Sequence, residues 1–131
     1  MTENQISRVV IGKAIFIHRK LGPGLLESAY EKILAYELQK EGFDVKCQVL
    51  LPIEWEGMPI EKAYRVDILV ENKVIVELKC VEEVSNVHFS QLLTYLKFSE
   101  LKLGLIINFK TVLLKNGLHR VVNGLKDDFE R

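Results

Sequence analysis

Apolar residues recur at every third or fourth position in two segments at the start of the chain, which is the period of an amphipathic helix. The first segment covers about residues 3–20 and stops at the sequence LGPG, where Pro23 and Gly24 favour a turn. The second begins near Leu26 and stops at about Gly42, a residue that is typical of helix C-termini. The pattern therefore predicts two helices joined by a short turn.

The next part of the chain shows the period of strands. In VKCQVLLPIEW, residues 45–55, the odd positions are all apolar and the even positions are mostly polar, as in a half-buried strand. Residues 64–70 and 74–80 form two further strand-like runs, and the ENK between them is a short polar loop suited to a hairpin. This part of the sequence predicts three consecutive antiparallel strands.

The last part of the chain combines a helix with strands. Residues 87–98 return to helical spacing, and KLGLIINF is a continuous apolar run of the kind that a strand covered on both faces requires. The order strand, helix, strand predicts a right-handed parallel crossover. In VLLKNGLHRVV, Asn116 and Gly117 separate two apolar runs, which predicts a C-terminal β-hairpin.

Together these elements predict an α/β fold of the α+β kind, with a mixed sheet and the order ααβββαβ plus a C-terminal β-hairpin. The chain has 131 residues, of which 48% are hydrophobic, so it is long enough for one substantial core and too short for two. No repeat or linker interrupts the sequence. We therefore expect a single domain over residues 1–131.

Composition and charge argue against some classes of protein. Eighteen basic and eighteen acidic residues give a net charge of zero, so the chain lacks the global attraction to phosphates of a coating protein, although a locally basic cleft stays compatible with it. No apolar run approaches the ~20 residues of a membrane span and no signal peptide is recognisable, which predicts a cytoplasmic protein with no membrane partner. Cys47 and Cys80 lack CxxC spacing, so we expect reduced thiols in the core.

Charged residues interrupt the strand-like runs, and strand geometry places them on common faces. Side chains alternate along a strand, so Glu77 and Lys79 point the same way, and Arg65 and Asp67 also share a face. The register of the hairpin between the two strands decides whether the two pairs meet.

A three-residue loop at 71–73 would pair Val70 with Val74 and set Asp67 directly opposite Glu77. Their Cβ atoms would then lie about 4.5–5.5 Å apart. A two-residue loop would instead mix apolar and charged side chains on each face. The burial pattern favours the three-residue loop, in which Asn72 can adopt a positive φ.

Two directly opposed carboxylates repel each other unless a proton or a cation lies between them. A divalent cation fits this arrangement, and carboxylate oxygens suit Mg²⁺ or Mn²⁺. Lys79 lies on the same face, where it could orient or deprotonate a water and offset negative charge in a transition state. The alternative is a surface patch in which Arg65 pairs with Asp67 or Glu77 and Lys79 is simply solvated.

With this D…ExK arrangement the chain resembles the PD-(D/E)xK nuclease superfamily, whose core has a restriction-endonuclease-like fold. In particular it resembles the GxxExxY family, because GLLESAY supplies Gly24, Glu27 and Tyr30 within the longer run IHRKLGPGLLESAYEKILAYEL. The sequence QLLTY matches the QxxxY pattern of one branch of the superfamily at Gln91 and Tyr95. The proline that often precedes the aspartate is absent, since Val66 occupies that position.

The resemblance implies a metal-dependent nuclease that hydrolyses phosphodiester bonds in nucleic acid, with DNA as the expected partner and Mg²⁺ or Mn²⁺ as the cofactor. It implies that Asp67, Glu77 and Glu27 bind the metal, that Lys79 acts on the attacking water, and that Gln91 supports the site. Helical spacing places His88 on the same face as Gln91 and Tyr95. The residues expected to contact substrate are Tyr95, His88, Tyr30 and Arg65. No partner pattern surrounds His18 or His119, which are expected at the surface.

Two rival hypotheses stay open at this point. The first is a non-catalytic module that keeps the nuclease fold and binds nucleic acid or a protein partner. The second is an assembly protein whose charged sheet face is structural. A homodimer would not distinguish these hypotheses from a nuclease, because a nuclease that cuts two strands also needs two sites.

Overall fold

The computed structural model describes residues 1–126, apart from the side chains of residues 61–63. The order ααβββαβ predicted from the sequence is confirmed over these residues. The single domain expected over residues 1–131 stays a prediction, and residues 127–131 lie outside the described part. The elements are α1 (Glu3–Leu21), α2 (Glu27–Lys40), β1 (Val45–Trp55), β2 (Met58–Val70), β3 (Val74–Lys79), α3 (Asn86–Ser99), β4 (Leu103–Asn108), a 3₁₀ turn (Leu114–Gly117) and β5 (Leu118–Val122).

Side-chain caps fix where two of the helices begin. Thr2 caps α1, since its hydroxyl accepts from the Gln5 N–H at 3.2 Å while the Gln5 side chain accepts from the Thr2 N–H at 2.9 Å. Ser85 and His88 form the corresponding capping box at the start of α3. Such caps satisfy N–H groups that have no partner inside the helix.

The described strands form one five-stranded mixed sheet in the order β1-β2-β3-β4-β5. Neighbouring strands are antiparallel except β3 and β4, which are parallel, as the predicted crossover through α3 requires. Helices α1 and α2 pack their apolar side chains on one face of the sheet. Helix α3 packs on the other face, mainly through Leu92 and Leu96. All six residues of β4 are buried, which confirms the prediction of a strand covered on both faces.

The hairpin between β2 and β3 has the predicted three-residue loop. Val70 pairs with Val74 and Ile68 pairs with Val76. Two loop residues have positive φ, Asn72 at 53° as expected and Glu71 at 55°. The Glu71 carboxylate accepts a hydrogen bond from the Asp44 N–H at 2.8 Å, which ties the loop to the start of β1. This register, continued by one pair, sets Asp67 opposite Glu77.

The C-terminal hairpin differs from the prediction. Residues 112–114 are not a strand, and Asn116-Gly117 belongs to a 3₁₀ turn rather than to a two-residue hairpin loop. Strand β5 instead pairs antiparallel with β4, beginning with Ile107 opposite Leu118. The reason is packing, because Leu114 is buried in the core and Gly117 lies against the Asn108 carbonyl with no room for a side chain.

Two further expectations about single residues were wrong. Cys47 is exposed rather than in the core, because the alternation of β1 breaks at Gln48, whose φ is +54°. His18 is buried rather than at the surface, and its Nε2 lies 2.8 Å from the Thr111 carbonyl oxygen. Among residues 1–126, no helix is long and apolar enough to cross a membrane.

We predict that Gly104→Ala destabilises the protein by about 1–3 kcal/mol, because overpacking displaces buried side chains. A Cβ at this position in β4 would lie 2.8 Å from the Leu92 side chain, and Leu92 is almost fully buried on α3. Urea denaturation measures the change in the free energy of unfolding.

The matched control is Gly12→Ala, where an added Cβ meets nothing within 4 Å on an exposed position of α1. That variant should be more stable than the wild type by about 0.5–1 kcal/mol, because alanine is the better helix former. Equal stability of the two alanine variants would contradict the close contact between α3 and β4.

Candidate functional site

A cleft of about 180 Å³ opens between β2, β3 and α3. It brings together most of the residues that the sequence singled out, although they come from distant parts of the chain. The residues that line it are Arg65, Asp67, Glu77, Lys79, His88, Gln91, Leu92, Tyr95 and Ile106. Of the predicted site residues, Glu27 and Tyr30 do not line this cleft.

The cleft forms where β2 and β3 cease to pair with each other. Their ladder runs from Val70 opposite Val74 to Ile68 opposite Val76. Beyond that pair, the Asp67 side chain takes the place of a backbone acceptor on β2. Its Oδ2 accepts a hydrogen bond from the Leu78 N–H at 2.8 Å. Strand β3 continues beside β4 as far as Lys79. The departure of β2 thus exposes the charged face of β3 to the cleft.

Glu77 is a buried acid, only 9% exposed. Burial, the charge of Asp67 and hydrogen bonding to Asp67 together raise its pKa to about 8, against the opposing effect of Lys79. Within the described part of the chain, its Oε1 atom has no hydrogen-bond partner. A buried carboxylate oxygen without a partner is costly, so the site is suited to a proton or a cation at this oxygen.

Glu27 is the first residue of α2 and lies near the same group of acids. Burial raises its pKa and the charge of Asp67 adds to the effect. Lys79, a hydrogen bond from the Cys80 backbone and His88 lower that pKa. Glu27 therefore lies outside the lining of the cleft but within electrostatic reach of Asp67 and Lys79.

Helix α3 supplies the opposite wall of the cleft, and the predicted common face of His88, Gln91 and Tyr95 is confirmed. The His88 Nδ1 accepts from the Ser85 N–H at 3.2 Å, which leaves Nε2 as the donor of the neutral ring. Burial raises the pKa of the Tyr95 hydroxyl, and the charge of Glu77 raises it further. The Tyr95 ring packs on Tyr64 of β2 with centroids 4.0 Å apart.

The expectation that Tyr30 contacts substrate was wrong. Its side chain is fully buried and stacks on Phe109 with centroids 4.2 Å apart. Its hydroxyl accepts from the Leu25 N–H at 3.1 Å and donates to the Gly22 carbonyl. Tyr30 therefore secures the turn that precedes Glu27 instead of lining the site.

Sequence reasoning missed Glu31 and Gln48. Glu31 lies one turn after Glu27 on α2, and burial raises its pKa while a hydrogen bond from Gln48 lowers it. The Gln48 amide nitrogen lies 2.6 Å from Glu31 Oε1 and 3.4 Å from Asp67 Oδ1. The i, i+4 spacing of Glu27 and Glu31 was a signal that could have indicated Glu31. Nothing local in the sequence distinguishes Gln48.

Asn108 was also missed, although a single asparagine in the apolar run KLGLIINF was a signal for it. It is 2% exposed, and its amide donates to the Val81 carbonyl at 2.8 Å while its Oδ1 accepts from the Val81 N–H at 3.2 Å. These bonds fix the segment that follows Lys79. Asn108 thereby holds the end of β3 in place.

The carboxylates in the cleft are side chains that could hold a metal ion. Over residues 1–126, no three His, Cys, Asp or Glu side chains are arranged as a complete metal cluster. Asp67 and Glu77 nevertheless fit a hard cation, because both offer carboxylate oxygens and Glu77 Oε1 lacks a partner. Mg²⁺ usually keeps several waters and needs only one or two carboxylates from the protein.

Comparison with known proteins identifies the family. A model of the PD-(D/E)XK nuclease superfamily matches residues 4–121, so the chain belongs to this superfamily. Its mixed sheet between two helical layers agrees with a restriction-endonuclease-like fold. Nucleases of this superfamily generally use divalent metals. No curated protein shows significant sequence similarity to the chain.

One solved structure, the crystal structure of SSO0001, aligns with a TM-score of 0.47 and 19% sequence identity. The alignment covers 92% of this chain and 64% of that one, so this chain spans about two thirds of the other's length.

We predict that the metal-free protein becomes less stable as the pH rises from about 5 to 8. Glu77 has a pKa of about 8 in the folded protein against an ordinary value of 4.5, so the folded state binds a proton that the unfolded state lacks in this window. The free energy of unfolding should therefore fall by about 1.4 kcal/mol per pH unit because of this group. Urea denaturation in EDTA measures the slope.

The Glu77→Gln variant, which is neutral at every pH, should lose this part of the slope and exceed the wild type in stability at pH 8. Glu83→Gln, at an exposed position of the following loop, is the control and should follow the wild type. Parallel curves for the wild type and Glu77→Gln would contradict the raised pKa.

Proposed function

We propose that the protein is a metal-dependent nuclease that hydrolyses a phosphodiester bond of DNA, and that it belongs to the GxxExxY family within its superfamily. The observation that carries this proposal is the buried Glu77 carboxylate, which faces Asp67 and has one oxygen with no hydrogen-bond partner among the described residues. Lys79 lies two residues further along the same face of β3 and lines the same cleft. An acid pair of this kind would be unfavourable without a ligand between its members.

Asp67 and Glu77, with Glu27 in electrostatic reach of Asp67, would hold Mg²⁺ or Mn²⁺. When bound, such an ion would neutralise the acid pair and polarise a phosphate oxygen. The energetic advantage comes from the protein, because the carboxylates are already in position before binding. The backbone bond from Leu78 to Asp67 supports this pre-organisation.

Lys79 would act on the water and on developing charge. Its ammonium group can donate hydrogen bonds to a water or to a phosphate oxygen, and it lowers the pKa values of both Glu77 and Glu27. A fixed positive charge beside the scissile phosphate stabilises the additional negative charge of the transition state. Gln91, across the cleft on α3, would hydrogen-bond the water or a phosphate oxygen.

Three more residues of the cleft would contact the substrate. Arg65 is exposed and offers a planar group that binds phosphate through two parallel hydrogen bonds. His88 would donate from Nε2, because its Nδ1 is occupied by the helix cap. Tyr95 lines the cleft beside Tyr64 and offers an aromatic ring on which a base could stack.

The GxxExxY motif acquires a physical role in this proposal. Tyr30 bonds to Gly22 and Leu25 on either side of the turn and so fixes the start of α2. Glu27 is the first residue of that helix. The tyrosine of the motif would thus position its glutamate at the metal. The homodimer and the cytoplasmic location stay predictions.

The proposal is tested by cleavage of labelled linear and circular DNA, single- and double-stranded, and of RNA, in Mg²⁺ or Mn²⁺ and in EDTA. We expect cleavage that needs the divalent ion and that falls at least about 100-fold in Asp67→Asn and Lys79→Ala, because each removes a charge that acts on the reacting phosphate. Cleavage of circular substrates would identify an endonuclease.

Lys102→Ala is the matched control for the lysine variant. Lys102 is exposed and precedes β4, at the end of the sheet opposite to Lys79. The Lys102→Ala protein should cleave DNA at the wild-type rate. A folded wild type that cuts none of these substrates would contradict the proposal and favour the non-catalytic module.

A further inference from the structure

Gln48 has an unusual backbone conformation next to the candidate site. It lies within β1, yet its φ is +54°, in the left-handed region that side chains other than glycine rarely adopt. The ladder pairs Cys47 with Ile68 and Val49 with Val66, which places Gln48 opposite Asp67, but this pair is missing from the ladder. The irregularity in β1 therefore coincides with the candidate metal-binding aspartate.

The side chain of Gln48 joins two acids. Its amide nitrogen lies 2.6 Å from Glu31 Oε1 and 3.4 Å from Asp67 Oδ1. A carboxylate can only accept, so Glu31 requires the nitrogen rather than the oxygen of the amide to face it. The same nitrogen has a second hydrogen, which is available to Asp67 Oδ1 at 3.4 Å. Glu31 thus determines which end of the amide Asp67 encounters.

Both oxygens of Asp67 are then held by donors from the protein. Leu78 donates its backbone N–H to Oδ2 at 2.8 Å, and Gln48 reaches Oδ1. A carboxylate held at both oxygens keeps one orientation, and each oxygen retains a lone pair for a further ligand. Hydrogen bonds of this kind orient metal ligands and raise metal affinity in other proteins.

We propose that Gln48, held by Glu31, is a positioning residue that sets the orientation of the Asp67 carboxylate. The catalytic meaning of this role rests on the proposed function. Backbone outliers persist where the surrounding structure compensates for them, and they concentrate at functional sites. The compensation here is the bridge from α2 through β1 to β2, which connects three elements at one carboxylate.

The first test is hydrogen exchange at the Leu78 amide in the metal-free protein, by NMR. Gln48→Gly permits the positive φ and removes the side chain, so the fold should be at least as stable while Asp67 loses its second anchor. We expect about tenfold lower protection of the Leu78 N–H, because its hydrogen bond to Asp67 is weakened. Protection of Ile75 and Val76 should be unchanged. Unchanged protection at Leu78 would overturn the positioning role.

The second test is the affinity for Mn²⁺ alone, by titration calorimetry. It should weaken about tenfold in Gln48→Gly and in Glu31→Ala. Gln48→Asn, which tolerates the backbone but is one methylene shorter, should resemble Gln48→Gly. Glu31→Gln keeps an oxygen that accepts from Gln48 and should retain most of the affinity. An equal loss in Glu31→Gln and Glu31→Ala would show that the charge of Glu31 matters and would overturn its role as an anchor for the amide.

The two tests separate the inference from the proposed function. A wild type that neither binds Mn²⁺ nor cuts DNA would overturn the proposed function, and the Leu78 amide would still decide whether Gln48 holds Asp67. The other outcome is a wild type that binds Mn²⁺ and cuts DNA, with a Gln48→Gly variant that has the same Leu78 hydrogen exchange, Mn²⁺ affinity and cleavage rate. That outcome would overturn the inference about Gln48 and leave the proposed function in place.

Discussion

The backbone holds two acidic side chains, those of Asp67 and Glu77, against each other. The β2–β3 register brings them opposite each other, and the hydrogen bond from Leu78 fixes one of them. Burial raises the pKa of Glu77 to about 8, with the charge of Asp67 as a further cause, so the metal-free site has a proton at neutral pH that a cation could replace. Two neighbouring acids destabilise the sheet when no ligand is bound, and they favour the binding of a cation. An ion pair differs because its members carry opposite charges and attract each other.

The rest of the fold supplies the stability that this arrangement requires. Strand β3 leaves β2 at the acids but keeps its full pairing with β4, whose six residues are buried between the two helical layers. Gly104 lets α3 pack closely on β4, and α3 carries Gln91 and Tyr95 to the cleft. Asn108 ties down the segment after Lys79. The site is therefore built on paired strands and a packed helix, and this gives its side chains defined positions before any ligand binds.

The sequence predicted the elements that strong periodicity determines and the register that burial determines. Alternation around Glu77 favoured the three-residue loop, because a two-residue loop would have mixed charged and apolar side chains on each face. The C-terminal hairpin was predicted from Asn116-Gly117 as a local turn signal, and it was wrong because the burial of Leu114 outweighs turn chemistry. The exposure of Cys47 and the role of Gln48 depend on the positive φ of Gln48. The residue types in this segment do not predict that conformation. Tyr30 belonged to a motif whose roles differ: its glutamate faces the site, while its tyrosine supports the turn.

Anomalous diffraction from crystals of the wild type and Asp67→Asn soaked in Mn²⁺ would show directly whether the two acids bind a metal ion. We expect a manganese peak in the wild type between the carboxylates of Asp67 and Glu77, with Oε1 of Glu77 as a ligand, and a weaker peak or none in Asp67→Asn. A wild-type map with no manganese at this position, from crystals in which the cleft is open to solvent, would contradict this expectation.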